Sequence, residues 1–279
     1  MHAIALAPPR AATVARHPSD ADAGDQACAR PLVAWPAPPS GGLSLSEAGE
    51  RQRIDASMAL LEATLAPTRW LCHAGDKVYQ AGQRFEHLYV ANAGIFKIVN
   101  LSPDGREQMA AAKFRGDWLG LDGIASGFHG CEAVAMDTGE LWVFSYQALL
   151  SAGASHRSLL TTFHEAMGRQ LAHSRDSLMS VCTLPADARV ANFLHGWARA
   201  LAVRGQRTDQ ITLRMSRAEI GSHLGMTLET VSRALAHMAR LALVGFPQKG
   251  RRDIAIPDLD RLAAFAQAGH ARTATAAAS

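Results

Sequence analysis

The sequence has no apolar run approaching the roughly 20 residues that a membrane-spanning helix requires, so no membrane partner is expected. Cysteine is scarce. Four occur among 279 residues, at 28, 72, 131 and 182, without CxxC spacing or a pairing pattern; this argues against a disulfide framework and fits a reducing cytoplasm. The start, Met1-His-Ala-Ile-Ala-Leu6, lacks a charged region ahead of its apolar residues and makes a poor secretion signal. A phosphate loop, a GxSxG elbow and an HExxH helix are also missing. No cysteine–histidine arrangement recommends nucleophilic catalysis, so an enzyme is not expected.

Apolar residues are plentiful, at 48%, enough for packed cores in two domains of ordinary size. The net charge of +3 says little, but its distribution says more. Residues 184–279 hold 13 Lys and Arg against 7 Asp and Glu, which leaves 15 against 18 for residues 1–183. The positive balance therefore sits in the carboxy-terminal third, where it suits a phosphate backbone.

Residues 1–43 are rich in Ala, Pro and Asp with no sustained period, and read as a disordered extension. Residues 44–150 begin with a helix from Ser46 to about Leu65. From Trp70 to about Ser145 short apolar or alternating runs alternate with turns, a spacing that predicts an antiparallel sandwich or jelly roll of about eight strands. Residues 151–183 hold a long helix from near Arg157 to near Cys182. Along it Leu160, Phe163, Met167, Leu171, Ser174, Leu178 and Val181 recur in steps of three and four. This coiled-coil seam predicts a homodimer with Leu160, Phe163, Met167, Leu171 and Leu178 at its interface; the alternative is a helix packed on its own roll. Pro185 marks a hinge before a helix from Ala186 to about Val203, and residues 258–279 form a last helix and tail.

Within residues 184–257 the chemistry concentrates at 217–236. Ser216 followed by Glu219 is a capping box, Gly225 stops that helix, and Thr227 caps the next, whose inward face is Val231, Leu235, Met238 and Ala242. Glu229, Ser232, Arg233 and Ala236 share the opposite face. A carboxylate accepts from cytosine N4, a guanidinium donates twice to guanine, and a hydroxyl does either, so double-stranded DNA is the expected partner of this helix-turn-helix. Leu243–Ile256 reads as a hairpin wing with Lys249, Gly250, Arg251 and Arg252 at its tip.

The order of helix, roll, long helix and winged helix-turn-helix, with Gly116-Asp-Trp-Leu-Gly120 and Glu229-Thr-Val-Ser-Arg233, resembles the CRP/FNR family of bacterial transcription regulators over about residues 45–265. The resemblance implies an α+β fold: an amino-terminal jelly roll like a cyclic-nucleotide-binding domain, a dimerisation helix, and a winged helix-turn-helix. Glu-x-x-Ser-Arg is similar to the FNR/FixK branch. It implies a cytoplasmic homodimer that reads a palindrome like TTGAT-N4-ATCAA through Glu229, Ser232 and Arg233. Ser216, Arg217 and Thr227, with Lys249 and Arg251 of the wing, are placed for backbone contacts. RNA polymerase is the implied further partner.

Two departures bear on the sensor. Where the cyclic-nucleotide branch has Gly-Glu for the ribose and an Arg followed by Ser or Thr for the phosphate, this chain has Gly120-Leu121 and Phe128-His-Gly-Cys131, so cyclic AMP is disfavoured. Only Cys28 lies in the amino-terminal segment, and Trp142 stands at the place of the roll cysteine, so a [4Fe-4S] cluster is disfavoured too. Cys72 and His73 point to opposite strand faces. His129 and Cys131 share one, but two ligands do not make a metal site, and no cofactor is expected. Cys182, at the junction with the DNA-binding domain, is a possible redox thiol, against the simpler expectation of a buried inert one.

Overall fold

The computed structural model describes residues 46–102, 105–247 and 253–277. The expected disordered extension, Cys28, Lys249 and Arg251 lie outside the described residues.

Helix α1 (Glu47–Leu65) opens at Ser46, whose hydroxyl accepts from the Gly49 amide at 3.3 Å. Eight strands follow: β1 (Thr68–Cys72), β2 (Lys77–Tyr79), β3 (His87–Ala93), β4 (Phe96–Leu101), β5 (Glu107–Lys113), β6 (Trp118–Leu119), β7 (Glu132–Ala135) and β8 (Gly139–Ser145), with a short helix, α2 (Gly123–Ser126), before β7. They form two antiparallel four-stranded sheets, ordered β1-β8-β3-β6 and β2-β7-β4-β5. Apart from the β4–β5 hairpin, strands distant in sequence pair and neighbours in sequence divide between sheets, as in a jelly roll. The sheets close tightly at Gly94, where φ is 82° and an added Cβ would lie 2.6 Å from the Cα of Gly139. Cys72, Tyr79, Phe96, Leu119, Cys131 and Leu141 fill the space between them.

After the roll come α3 (Tyr146–Ser155) and α4 (Arg157–Thr183). Helix α3 is an element that the sequence reading did not give, lying ahead of the long helix. The first half of α4 buries Leu159, Phe163 and Ala166 against Trp118, Trp142 and Phe144 of the roll and Met58 and Leu61 of α1. Proline ends α4: Pro185 pushes Leu184 to φ −93°, ψ 141°, out of helical geometry. The chain then runs through α5 (Ala186–Val203), β9 (Gln210–Thr212), α6 (Arg217–Leu224), α7 (Leu228–Arg240), β10 (Asp253–Ala255) and α8 (Leu259–Ala277). Strands β9 and β10 pair antiparallel, and Gly245 bridges to Ala255, which frames a wing.

The carboxy-terminal core gathers Leu194, Trp197, Ile211, Ile220, Val231, Leu235, Met238 and Leu262, and it includes Met109 and Phe114 of the roll. Apolar contact thus continues from the roll into the helix-turn-helix without a linker between them.

Candidate nucleic-acid interface

The pair α6–α7 is built from local signals. Ser216 Oγ accepts from the Glu219 amide at 3.2 Å, and Glu219 Oε2 accepts from the Ser216 amide at 2.8 Å, which completes the capping box. Gly225 ends α6 at φ 63°, and Thr227 Oγ1 accepts from the Thr230 amide at 3.2 Å to start α7. Gly221, a residue that the sequence reading passed over, lets the two helices meet: an added Cβ there would lie 2.6 Å from the Met226 carbonyl oxygen. Its backbone is ordinary, so space rather than φ demands glycine.

On α7, Val231, Ala234, Leu235 and Met238 face inward. Ala242, expected on that face, lies beyond the helix end and is exposed, with φ 53°. Glu229 and Arg233 are exposed on the outward face, with Arg233 Nη1 3.9 Å from Glu229 Oε1. Ser232 is half-buried, and its Oγ accepts from Arg217 Nη1 at 2.9 Å. The guanidinium of Arg217 also sits 6.0 Å from the Phe246 ring centroid. Arg217, expected at the DNA backbone, therefore also positions an expected base reader. Nothing in the spacing of residues 15 apart across a turn could show this contact.

The helix-turn-helix docks on the roll through α6. Lys97 Nζ lies 2.5 Å from Glu219 Oε1, Ser222 Oγ donates to the Glu107 carbonyl at 3.2 Å, and His223 Nδ1 lies 3.2 Å from the Met109 carbonyl. Burial pushes the Glu219 carboxyl up, but hydrogen bonds from Lys97 and Ser216 outweigh it and hold the carboxyl below its usual range. Burial lowers His223, keeping the ring neutral against β5. On the hinge side His237 Nδ1 lies 2.6 Å from Asp187 Oδ2.

The seam on α4 divides. Phe163, expected at a dimer interface, is 5% exposed and packs on Trp118 at 5.2 Å between centroids, so it belongs to the protomer's own core. Leu160 and Met167 are half-buried, whereas Leu171 and Leu178 stand 71% and 63% exposed. The amino half of the helix has its partner in the roll, and the carboxy half has none among the described residues. Cys182, expected to be buried, is exposed beside this stripe.

Two family models match the chain: the cyclic nucleotide-binding domain over residues 71–156 and the Crp-like helix-turn-helix domain over residues 188–265. The transcriptional regulatory protein btr of Bordetella pertussis is 30% identical over 188 residues, covering 67% of this chain and 78% of that protein. The chain belongs to the CRP/FNR family of transcription regulators. The fumarate and nitrate reduction regulatory protein of Escherichia coli K12 is 29% identical over 198 residues, 71% of this chain and 77% of that protein. The solved FixK2 of Bradyrhizobium japonicum superposes with a TM-score of 0.64 at 27% identity over 71% of this chain and 96% of that one. These relatives are regulators, not enzymes, and this CRP/FNR chain is a DNA-binding one. Among its described residues no helix is long and apolar enough to cross a membrane.

In this CRP/FNR regulator the roll interior is occupied by its own side chains. His129 is buried and stacks on Tyr79 at 3.9 Å. Tyr79 Oη accepts from the Gly120 amide at 3.0 Å, while Asp122 Oδ2 accepts from the Gly130 amide at 2.7 Å and the Cys131 thiol at 3.3 Å. A carboxylate thus takes the donors of this segment, and an anion there would meet Asp122. Burial and then Asp122 push the Cys131 thiol up to about 12, and burial pushes Cys72 to about 11, so neither supplies a thiolate near neutral pH.

Proposed function

We propose that the protein works in the cytoplasm as a homodimer that reads a TTGAT-N4-ATCAA-like palindrome and activates transcription by contacting RNA polymerase, in anaerobic, microaerobic or redox-related gene control. The observation that carries this reading is the outward face of α7, where Glu229 and Arg233 are exposed and Ser232 is braced by Arg217. A capped, basic-flanked helix with these three side chains suits direct readout in a major groove. Ser216, Arg217 and Thr227 sit at the starts of α6 and α7, and Lys249 and Arg251, outside the described residues, complete the proposed backbone set. The stripe of Leu171 and Leu178 supports a second copy, because two recognition helices must be held about one DNA turn, roughly 34 Å, apart.

The exposed Cys182 favours a second reading of the signal: oxidation of this thiol, beside the hinge, alters DNA binding. Cyclic AMP and a [4Fe-4S] cluster are left out of both readings. A haem-responsive or small-ligand-responsive regulator, and a module without DNA affinity, are alternatives that the same experiment separates. Protein purified without oxygen is characterised by absorption and iron assay, then used to select sites from random DNA. A featureless spectrum with a TTGAT-type palindrome supports the proposal; a haem band or no selected site refutes it. Cys182→Ser should abolish peroxide sensitivity of binding, and unchanged sensitivity removes the thiol reading.

A further inference from the structure

A cleft of about 630 Å³ lies between the roll, α1, α4 and the carboxy-terminal domain. Its volume is in the range that accommodates small organic molecules, roughly 300–1,000 Å³. Phe114, Trp118 and Leu121 of the roll line one side and Phe193 and Trp197 of α5 another. The polar groups among them are left incompletely matched. Lys113 is 7% exposed, donates to the amide oxygen of Gln170, and forms no ion pair among the described residues. Arg189 donates from Nη1 to the Leu224 carbonyl at 2.8 Å, but its Nε is buried without a partner, and it too forms no ion pair among the described residues. Trp197 is 3% exposed, and its indole Nε1 also lacks a partner. By contrast, Arg199 pairs with Glu50 at 2.8 Å and Arg204 with Asp117 at 3.4 Å.

We propose that this cleft binds a small amphipathic anion, an apolar body bearing a carboxylate or phosphate, with Lys113 and Arg189 as its counter-charges and Trp197 as a donor to it. A buried ammonium without a direct ion pair at Lys113, and buried donors without acceptors at Arg189 Nε and Trp197 Nε1, are unfavourable in an empty cleft, and an anion among them relieves both. Burial lowers the Lys113 ammonium despite the attraction of Asp117, a shift that an arriving anion reverses. The aromatic walls supply the apolar contact that a bare inorganic anion leaves unused.

The cleft is separate from the aromatic-filled interior of the roll. It meets the seam of α4 only at Val181: at 100° per residue, Gln170, His173 and Ser177 point about 90° to 150° around α4 from Leu171 and Leu178. Because its walls come from both the roll and the helix-turn-helix domain, an occupant biases their arrangement by its differential affinity for the alternatives.

The test is isothermal titration of the full chain with 2-naphthoate, 2-naphthyl phosphate and the neutral 2-naphthalenemethanol. Saturable binding of at least one anion at one site per chain is expected, at least about tenfold tighter than the neutral compound; the stronger anion identifies the head group. Lys113→Met and Arg189→Gln each weaken it about tenfold or more, while Lys113→Arg, which keeps the charge, retains it. Thermal unfolding of each variant monitors folding, and Lys113→Met is expected to melt no lower than the parent, since it removes an uncompensated buried charge. No saturable binding of either anion overturns the proposal, as does equal binding of the neutral compound or unchanged affinity in both charge-removing variants. The measurement needs no DNA, so its failure is distinct from failure of the palindrome reading.

Discussion

Lys97 Nζ on β4 lies 2.5 Å from one oxygen of Glu219, while the other oxygen of the same carboxylate closes the capping box of α6. One side chain thus starts the helix-turn-helix and ties it to the roll. Glu219→Gln keeps a capping partner and loses the ion pair, for roughly 1 kcal/mol, whereas Glu219→Ala loses both, for about 2 kcal/mol. Urea unfolding measures the two. Equal losses would mean that the capping contact contributes nothing, and no loss in Glu219→Gln that the ion pair contributes nothing.

The same interface predicts a pH response. His223 is lowered from its ordinary 6.5 by burial, so the unfolded chain takes up a proton below pH 6.5 before the folded chain does. Stability therefore declines as pH falls from 6.5 toward the lower folded value. Glu219 acts further down: its contribution is present above the ordinary 4.5 and is lost as pH falls through its depressed folded value. Replacing the imidazole in His223→Gln is expected to flatten the first decline, as read from urea midpoints between pH 7.5 and 5.5.

Gly221→Ala places a methyl group 2.6 Å from the Met226 carbonyl. The α6–α7 angle must open, at a cost of about 1–3 kcal/mol, and DNA affinity falls with it. Ala at Gly168, where nothing lies within 4 Å of an added Cβ, is the matched control, and thermal unfolding of both variants compares them.

Arg233→Ala is expected to weaken specific binding by about 1–3 kcal/mol and to relax preference at one G·C pair, whereas Lys249→Ala weakens binding to all sequences alike. Gel shifts on the palindrome and on random DNA distinguish them. Arg217→Ala should resemble Arg233→Ala in part, because it releases Ser232.

The divided seam on α4 predicts divided phenotypes. Phe163→Ala destabilises the protomer by about 3–5 kcal/mol through the cavity it opens beneath Trp118. Leu178→Glu leaves the protomer folded and yields a monomer by sedimentation. A monomer from Phe163→Ala with unchanged unfolding would reverse the assignment.

The capping box, the helix ends at Gly225 and Pro185, the outward trio on α7 and the eightfold rhythm of the roll were legible in the sequence, since each depends on residues within about four positions or on a simple period. Phe163 shows where that legibility stops. A stripe at steps of three and four says that a helix has an apolar face, but not whether the covering surface comes from its own chain or another. The exposure of Cys182 and the bracing of Ser232 by Arg217 are likewise invisible to a periodic reading. The tie between Lys97 and Glu219 spans 122 positions, and the cleft beside Lys113 and Arg189 is assembled from five separate stretches of chain. The sequence by itself determined the reading head and the framework that carries it. Only the tertiary structure decided how that head is held against the roll and which buried charges are left unmatched, because both depend on where distant segments come to rest when the apolar core closes.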